Sequence, residues 1–303
     1  MTRNHNARFA GVRGRMLIAA AAVLAPLAMA SPAMAEHHPT GNFAPFKYCP
    51  LSNKATEICT VANTNAGEFA VGKKTVPITK TITLQGGLHE NEKTEELEFI
   101  AAEGAETLSK TEETVPGGLL GIKAPKSWPL ILQELFNEYV INKGLTGVTE
   151  ITELAKPASA IKLNTTNLIF ESGTALQLPV KVKLNNAFLG NECYVGSSSH
   201  PITLNLTTGT TSPPEPNKPI KGSAGKLEIL ESGNLIRLAG GALVDNSFAD
   251  EEGANGCGGF LFSWAVDPLV NEILGVPSKA GTNTAILKGN LEEAAAEAVK
   301  ASE

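Results

Sequence analysis

Arginine is nearly absent beyond the first fifteen residues: after Arg3, Arg8, Arg13 and Arg15 only Arg237 remains. Nucleic-acid and phosphate recognition lean on Arg for two-pronged contacts and on a basic footprint. With 31 acidic against 25 basic residues and a formal net charge of −6, the chain lacks that footprint, and nucleic acid is set aside as a partner. Aromatic residues are few, 5% of the chain with two Trp and three Tyr, which weakens a glycosidase reading of its many carboxylates. Histidine is scarce as well. His200 follows Ser197, Ser198 and Ser199 without a glycine-framed nucleophile elbow, so a polar turn before a strand is the simpler reading. His89 in HENEK lacks the second histidine of a zincin helix. No apolar run reaches the roughly twenty residues of a membrane helix, and the chain ends with neither an LPxTG motif nor an apolar tail, so neither a membrane span nor sorting-signal attachment is expected.

What is present begins with an export pattern. Four Arg precede the apolar run MLIAAAAVLAPLAMA, Met16 to Ala30, and Ala33 and Ala35 occupy the two positions a signal peptidase reads. Residues 1–35 are therefore expected to be a secretory signal, cleaved after Ala35. No Cys follows the run, and Gly14 separates Arg13 from Arg15, so neither lipid attachment nor the twin-arginine route is expected. Cleavage would remove four basic residues and no acidic one, taking the net charge from −6 to about −10. The remainder, 36–290 as a β-rich region with a subdivision considered near residue 155 and 291–303 as a helical tail, is long enough for one large domain or two small ones.

All four cysteines, Cys49, Cys59, Cys193 and Cys257, lie in the exported part. An even number outside the cytoplasm reads as two disulfides. Sequence order favours Cys49 with Cys59 and Cys193 with Cys257, although four cysteines allow three pairings. In NGCGGFLFSW, Cys257 is then a staple and not a nucleophile. Gly256, Gly258 and Gly259 read as a tight turn that lets the bridge approach a neighbouring strand.

Much of the exported chain alternates with a period of two, in Val76–Leu84, Leu178–Leu184, Pro201–Thr207 and Lys226–Gly240, the last as a hairpin around Glu231–Asn234. Strands with one wet face belong in antiparallel sheets. The expected fold is mainly β, an antiparallel β-sandwich or barrel-like fold, disulfide-stapled, with two short helical insertions. The first, from Pro129, gathers Leu132, Leu135, Phe136, Tyr139 and Val140 on one face, expected to cap or plug the sheet core, and closes at Gly144. The second runs from Asp267 as cap, through Pro268 at its first position, to Gly275 and Pro277. A Ser-Trp pair precedes each and Pro-Leu lies within each. Without a longer period, coincidence explains this better than duplication. Thr211–Gly225, with four prolines, reads as an extended surface connection. His89–Glu113 reads as a solvated acidic strand-and-loop region. The tail from Leu291 is rich in Ala and Glu and is expected to fray.

Two metal candidates stand beside blander readings. A mature terminus Glu36-His37-His38 places a histidine third from a free amine, a nitrogen set that suits copper. The loop Val244–Gly256 gathers Asp245, Asp250 and Glu252, oxygen ligands of the kind calcium takes, without the EF-hand spacing. An acidic solvated loop is the simpler reading, and no cofactor is required by any pattern.

In Phe43–Gly87, with Cys49 and Cys59, and again in Leu178–Gly222, with Cys193, the chain resembles secreted proteins of high-GC Gram-positive bacteria to which no activity is assigned. The resemblance implies export and supplies no catalytic residue. The expected function is a non-catalytic secreted or cell-envelope protein with a ligand-binding, adhesive or structural role and a cell-wall or small-ligand partner. The alternatives are a secreted hydrolase using the acidic loops and a wall-associated oligomeric β-barrel channel. The alternating runs are short of the nine to eleven residues that spanning strands want.

Overall fold

The structure, a computed structural model, describes residues 37–90, 97–121, 123–142 and 146–303; the expected leader and Glu36 lie outside the described residues. The sheet begins with β1 (Ile58–Val71), β2 (Lys74–Pro77), β3 (Ile82–Glu90), β4 (Leu97–Ala101) and β5 (Glu112–Thr114). It continues with β6 (Thr149–Leu154), β7 (Lys162–Leu163), β8 (Leu176–Asn185), β9 (Tyr194–Val195) and β10 (Ile202–Leu206). It ends with β11 (Lys226–Leu230), β12 (Leu235–Asp245), β13 (Ala254–Asn255) and β14 (Thr284–Ala295). Four α-helical segments accompany them: α1 (Leu130–Leu135, continued by π-helical turns to Asn142), α2 (Thr165–Ile169), α3 (Gly259–Leu274) and α4 (Ala296–Ala301).

All pairings between these strands are antiparallel, in the order β11-β12-β14-β1-β3-β4-β7-β8-β6-β5, with β10 and β9 also on β8. The sheet curls until the end of β10 meets the end of β12, where Thr207 and Val244 exchange both backbone hydrogen bonds. That seam is one residue pair long, so the sheet stays open and sandwich-like. Strand pairing of β6 with β8 crosses residue 155, and the described residues form one compact unit without a division there.

Alternation places Leu176, Leu178, Val180, Val182 and Leu184 of β8 on the inner face, where they meet Phe69, Leu88, Ile202 and Leu206 in the main core. The first part of β1, Cys59 to Val61, is buried on both sides. Thr60 faces the interior of the curled sheet, while Cys59 and Val61 join Phe46, Cys49, Leu235 and Val299 in a second, smaller core. This second core corrects the expected frayed tail. Residues to Ala295 continue β14 between β1 and β12, and α4 packs Val299 against Phe46 and Leu235, which removes the apolar side chain from water.

Three other expectations change. Val76–Leu84 is two strands and not one, because the fully buried Glu113 carboxylate accepts the backbone N–H groups of Thr79 (2.8 Å) and Lys80 (2.7 Å) and so turns the chain between β2 and β3. Glu113 is therefore no part of a solvated acidic region. The proline-rich loop is folded back on itself where Thr211 N–H donates to the Ile220 carbonyl and Ile220 N–H to the Thr211 hydroxyl, and Asn217 pins it by donating to the carbonyls of Asn246 and Asn283. The β11–β12 hairpin forms as expected across its four-residue link, with Glu231, Ser232 and Gly233 at positive φ.

Candidate functional site

The two disulfides pair Cys49 with Cys59 and Cys193 with Cys257, with Cα atoms 5.4 and 4.1 Å apart. Gly256 makes the second possible: at φ 71°, an added Cβ would lie 2.2 Å from the Glu192 carbonyl oxygen. Cys257 is bridged, and no cysteine is free.

The candidate metal residues are dispersed. His37 lies between Glu303 (2.7 Å) and Glu103 (3.7 Å), His38 is exposed, and the third member, Glu36, is outside the described residues. Asp245 is fully buried and accepts from the backbone N–H groups of Asn205 and Ser247 and from the Ser247 hydroxyl. Asp250 accepts from Gly253 N–H, and Glu252 lies 3.8 Å from His200 Nδ1. Burial raises the Asp250 carboxyl above the ordinary carboxylate range, with the Glu252 charge adding to the rise and N–H donors opposing it. Among the described residues, no three His, Cys, Asp or Glu side chains converge as a metal site would require. Ser197 Oγ accepts from the backbone N–H of His200, the bond of a polar turn.

The interior holds small apolar cavities, two of them bordered by a carboxyl. Glu150, opposite Glu113 on the β5–β6 pair, borders cavities of about 50 and 70 Å³ whose walls include Phe69, Val76, Val148 and Leu178. Burial pushes its carboxyl up to about 7; Glu113 adds to the rise and the Thr152 hydroxyl opposes it.

The largest departure from sequence expectation lies on the two long helical insertions, which expose most of their large apolar side chains. In α1 and its π-helical continuation, two amide side chains face the protein. Gln133 donates to the Trp128 carbonyl (2.7 Å), and Asn137 Oδ1 accepts from Ala124 N–H (2.7 Å). Leu130 (77% exposed), Ile131, Leu132, Leu135, Tyr139 and Val140 face outward, and the expected core cap is not formed. α3 repeats the arrangement in its first half, while Val270 and Leu274 of its second half are buried in the main core. It starts at Gly259, eight residues before the expected cap. Asp267 lies inside the helix and holds the Cys257 N–H (2.7 Å), while Asn271 holds the Ala254 N–H (2.7 Å). Phe260 (98% exposed), Leu261, Phe262, Trp264 (79%) and Leu269 face solvent.

Hydrogen bonds to backbone carbonyls root both insertions in one end of the sheet. Lys73 N–H donates to Leu274 O at the close of α3, and Lys74 Nζ donates to Gly118 O on the approach to α1. Between them the loop of Phe188 (64% exposed) is bound on one side by Asn186 to Gly147 O (2.7 Å) and on the other by Leu189 O, which accepts from Gly258 N–H (2.7 Å). The result is an apolar platform of α1, Phe188 and α3.

No family model, curated protein or solved structure matches this chain. The platform is therefore read from its own chemistry. Trp128, Pro129, Leu132, Leu135, Phe136 and Val140 line an open groove of about 350 Å³, with the Trp128 and Phe136 rings edge to face at 5.4 Å. Both tryptophans of the chain are on the platform. Lys123 and Lys126, exposed on the approach to Trp128, form no ion pair among the described residues. Isolated exposed apolar residues are ordinary, but contiguous patches mark contact surfaces. The signal in the sequence was the pair of Ser-Trp and Pro-Leu segments; periodicity identified an apolar face without saying which way it turned. The internal tethers also argue against duplication, since Gln133 and Asn137 follow Pro129 whereas Asp267 precedes Pro268.

Proposed function

We propose that this chain is a non-catalytic extracytoplasmic protein that binds or adheres through the platform of α1, the Phe188 loop and α3, presented on a disulfide-stapled β scaffold. One observation carries the reading: Gln133, Asn137, Asp267 and Asn271 are turned inward onto backbone partners, while most of the large apolar side chains of α1 and of the first half of α3 are turned out. A helix that only had to fold would place them the other way. Two disulfides support an oxidising compartment, and among the described residues no helix is long and apolar enough to cross a membrane.

The test is retention on a phenyl-substituted column together with a panel of ester, peptide and glycan substrates. Native protein is expected to be retained and to turn over none of the substrates. Phe260→Ser with Trp264→Ser should shorten retention, whereas Leu227→Ser, on the exposed β11 edge, should not. Turnover of any substrate, or retention indifferent to the platform substitutions, overturns the reading.

A further inference from the structure

Resting on that reading, we infer that the partner of the platform is the surface of a lipid bilayer, into which the tips of α1 and α3 insert at headgroup depth.

The first argument is the distribution of exposure around each helix. A helix docked in a protein groove offers a stripe at i, i+3, i+4 and i+7. Here three consecutive residues are exposed at the first turn of each: Leu130, Ile131 and Leu132 in α1, Phe260, Leu261 and Phe262 in α3. Successive residues of a helix point about 100° apart, so each triplet spreads apolar surface around most of the helix circumference. A rigid groove leaves part of such a tip in water, whereas fluid lipid surrounds it.

The second argument is charge and the place of the amphipathic rings. The chain as a whole is acidic, with a formal net charge of −6, yet the approach to α1 is basic. Lys123 and Lys126 are exposed beside Trp128, and Lys74 lies close enough to Lys123 for its ammonium to be lowered, burial being the larger cause. Cations at that height complement lipid phosphates. Trp128, Tyr139 and Trp264 are exposed on the same platform, and Trp and Tyr prefer the boundary between headgroup and hydrocarbon. Glu134 and Glu138 are also exposed on the α1 segment, which keeps it lying in the interface instead of sinking into hydrocarbon.

The experiment uses the purified protein with both disulfides formed, floated with vesicles of phosphatidylcholine and with vesicles of equal parts phosphatidylcholine and phosphatidylglycerol. Because the only two tryptophans are on the platform, their emission reports its environment directly. Flotation with both vesicles, stronger with phosphatidylglycerol and accompanied by a blue shift, is expected. Phe260→Ser with Phe262→Ser should lower partitioning at least ~10-fold, with an unchanged thermal midpoint confirming the fold. Lys123→Glu with Lys126→Glu should remove the phosphatidylglycerol preference and leave the phosphatidylcholine partitioning. Absence of flotation with unshifted emission overturns the lipid assignment. If concentration-dependent dimerisation then disappears with the same Phe substitutions, the platform is an interface for a second copy and the binding reading survives; if neither lipid nor self-association responds to the platform, both readings fall.

Discussion

Glu150 and Glu293 are carboxyls placed where water is nearly excluded, and burial pushes each up to about 7. A carboxyl whose folded pKa exceeds its unfolded value prefers to keep its proton in the folded state. Its contribution is most favourable below the unfolded value of about 4.5, is lost as pH rises from there through about 7, and is flat above. The stability of this protein is therefore expected to increase on mild acidification across that window. Glu150→Gln should stabilise the protein by about 3 kcal/mol at pH 8 and have little effect near pH 4, as read by urea unfolding at the two pH values; an equal effect at both would place the cause in packing. At Asn271 the chemistry is a single hydrogen bond to Ala254 N–H. Asn271→Ala leaves that donor without its partner and should cost about 1–3 kcal/mol, measurable in the same assay.

The elements behave according to what faces them. β1 succeeds as a central strand because it has apolar or small residues on both faces, with Cys59 and Val61 toward one core and Thr60 toward the other. The price of that arrangement is a second layer, supplied by the N-terminal 3-10 turn Gly41–Phe46 and by α4. Val299→Ala should accordingly destabilise by about 2 kcal/mol, and removal of residues 296–303 by more, since Phe46 and Leu235 would meet water; thermal unfolding followed by circular dichroism measures both. If the truncated chain melts like the full one, α4 is not the cover described. α1 and α3 are governed by a different balance. Backbone N–H groups of the underlying loops require acceptors, and the Asn and Asp side chains of the helices provide them. That requirement orients the helices, and most of the large apolar side chains of α1 and of the first half of α3 turn out as a consequence.

Across the whole molecule, the curled sheet is held by two cores and two covalent staples. The Cys49–Cys59 bridge lies inside the smaller core, while Cys193–Cys257 ties β9 to the loop from which α3 emerges. Chain-entropy reasoning gives about 3 kcal/mol for the short loop and about 4 kcal/mol for the long one. Reduction should lower the urea midpoint, and Cys193→Ser with Cys257→Ser should shift the tryptophan emission of the free protein, because Trp264 is seven residues from the lost anchor. A double variant with native emission would mean that the Asp267 and Asn271 contacts position α3 unaided.

Period-two alternation determined the antiparallel β class from the sequence alone, because strands such as β8 and β10 need one dry face regardless of their neighbours. Spacing and compartment favoured the two disulfides that formed, and the glycines around Cys257 marked the close approach that the bridge needs. Local pattern could not determine what lies against a given face. That the Ala-rich tail would seal a second core, that Glu113 would break Val76–Leu84 into two strands, and that two amphipathic helices would face outward all depend on partners distant in the chain: Phe46 for Val299, Thr79 for Glu113, Ala254 for Asn271. An amphipathic helix has the same periodicity whichever way it is turned. Only the tertiary structure, by giving Asn137, Asp267 and Asn271 backbone N–H groups to accept from, decided that much of the apolar surface of these helices faces outward.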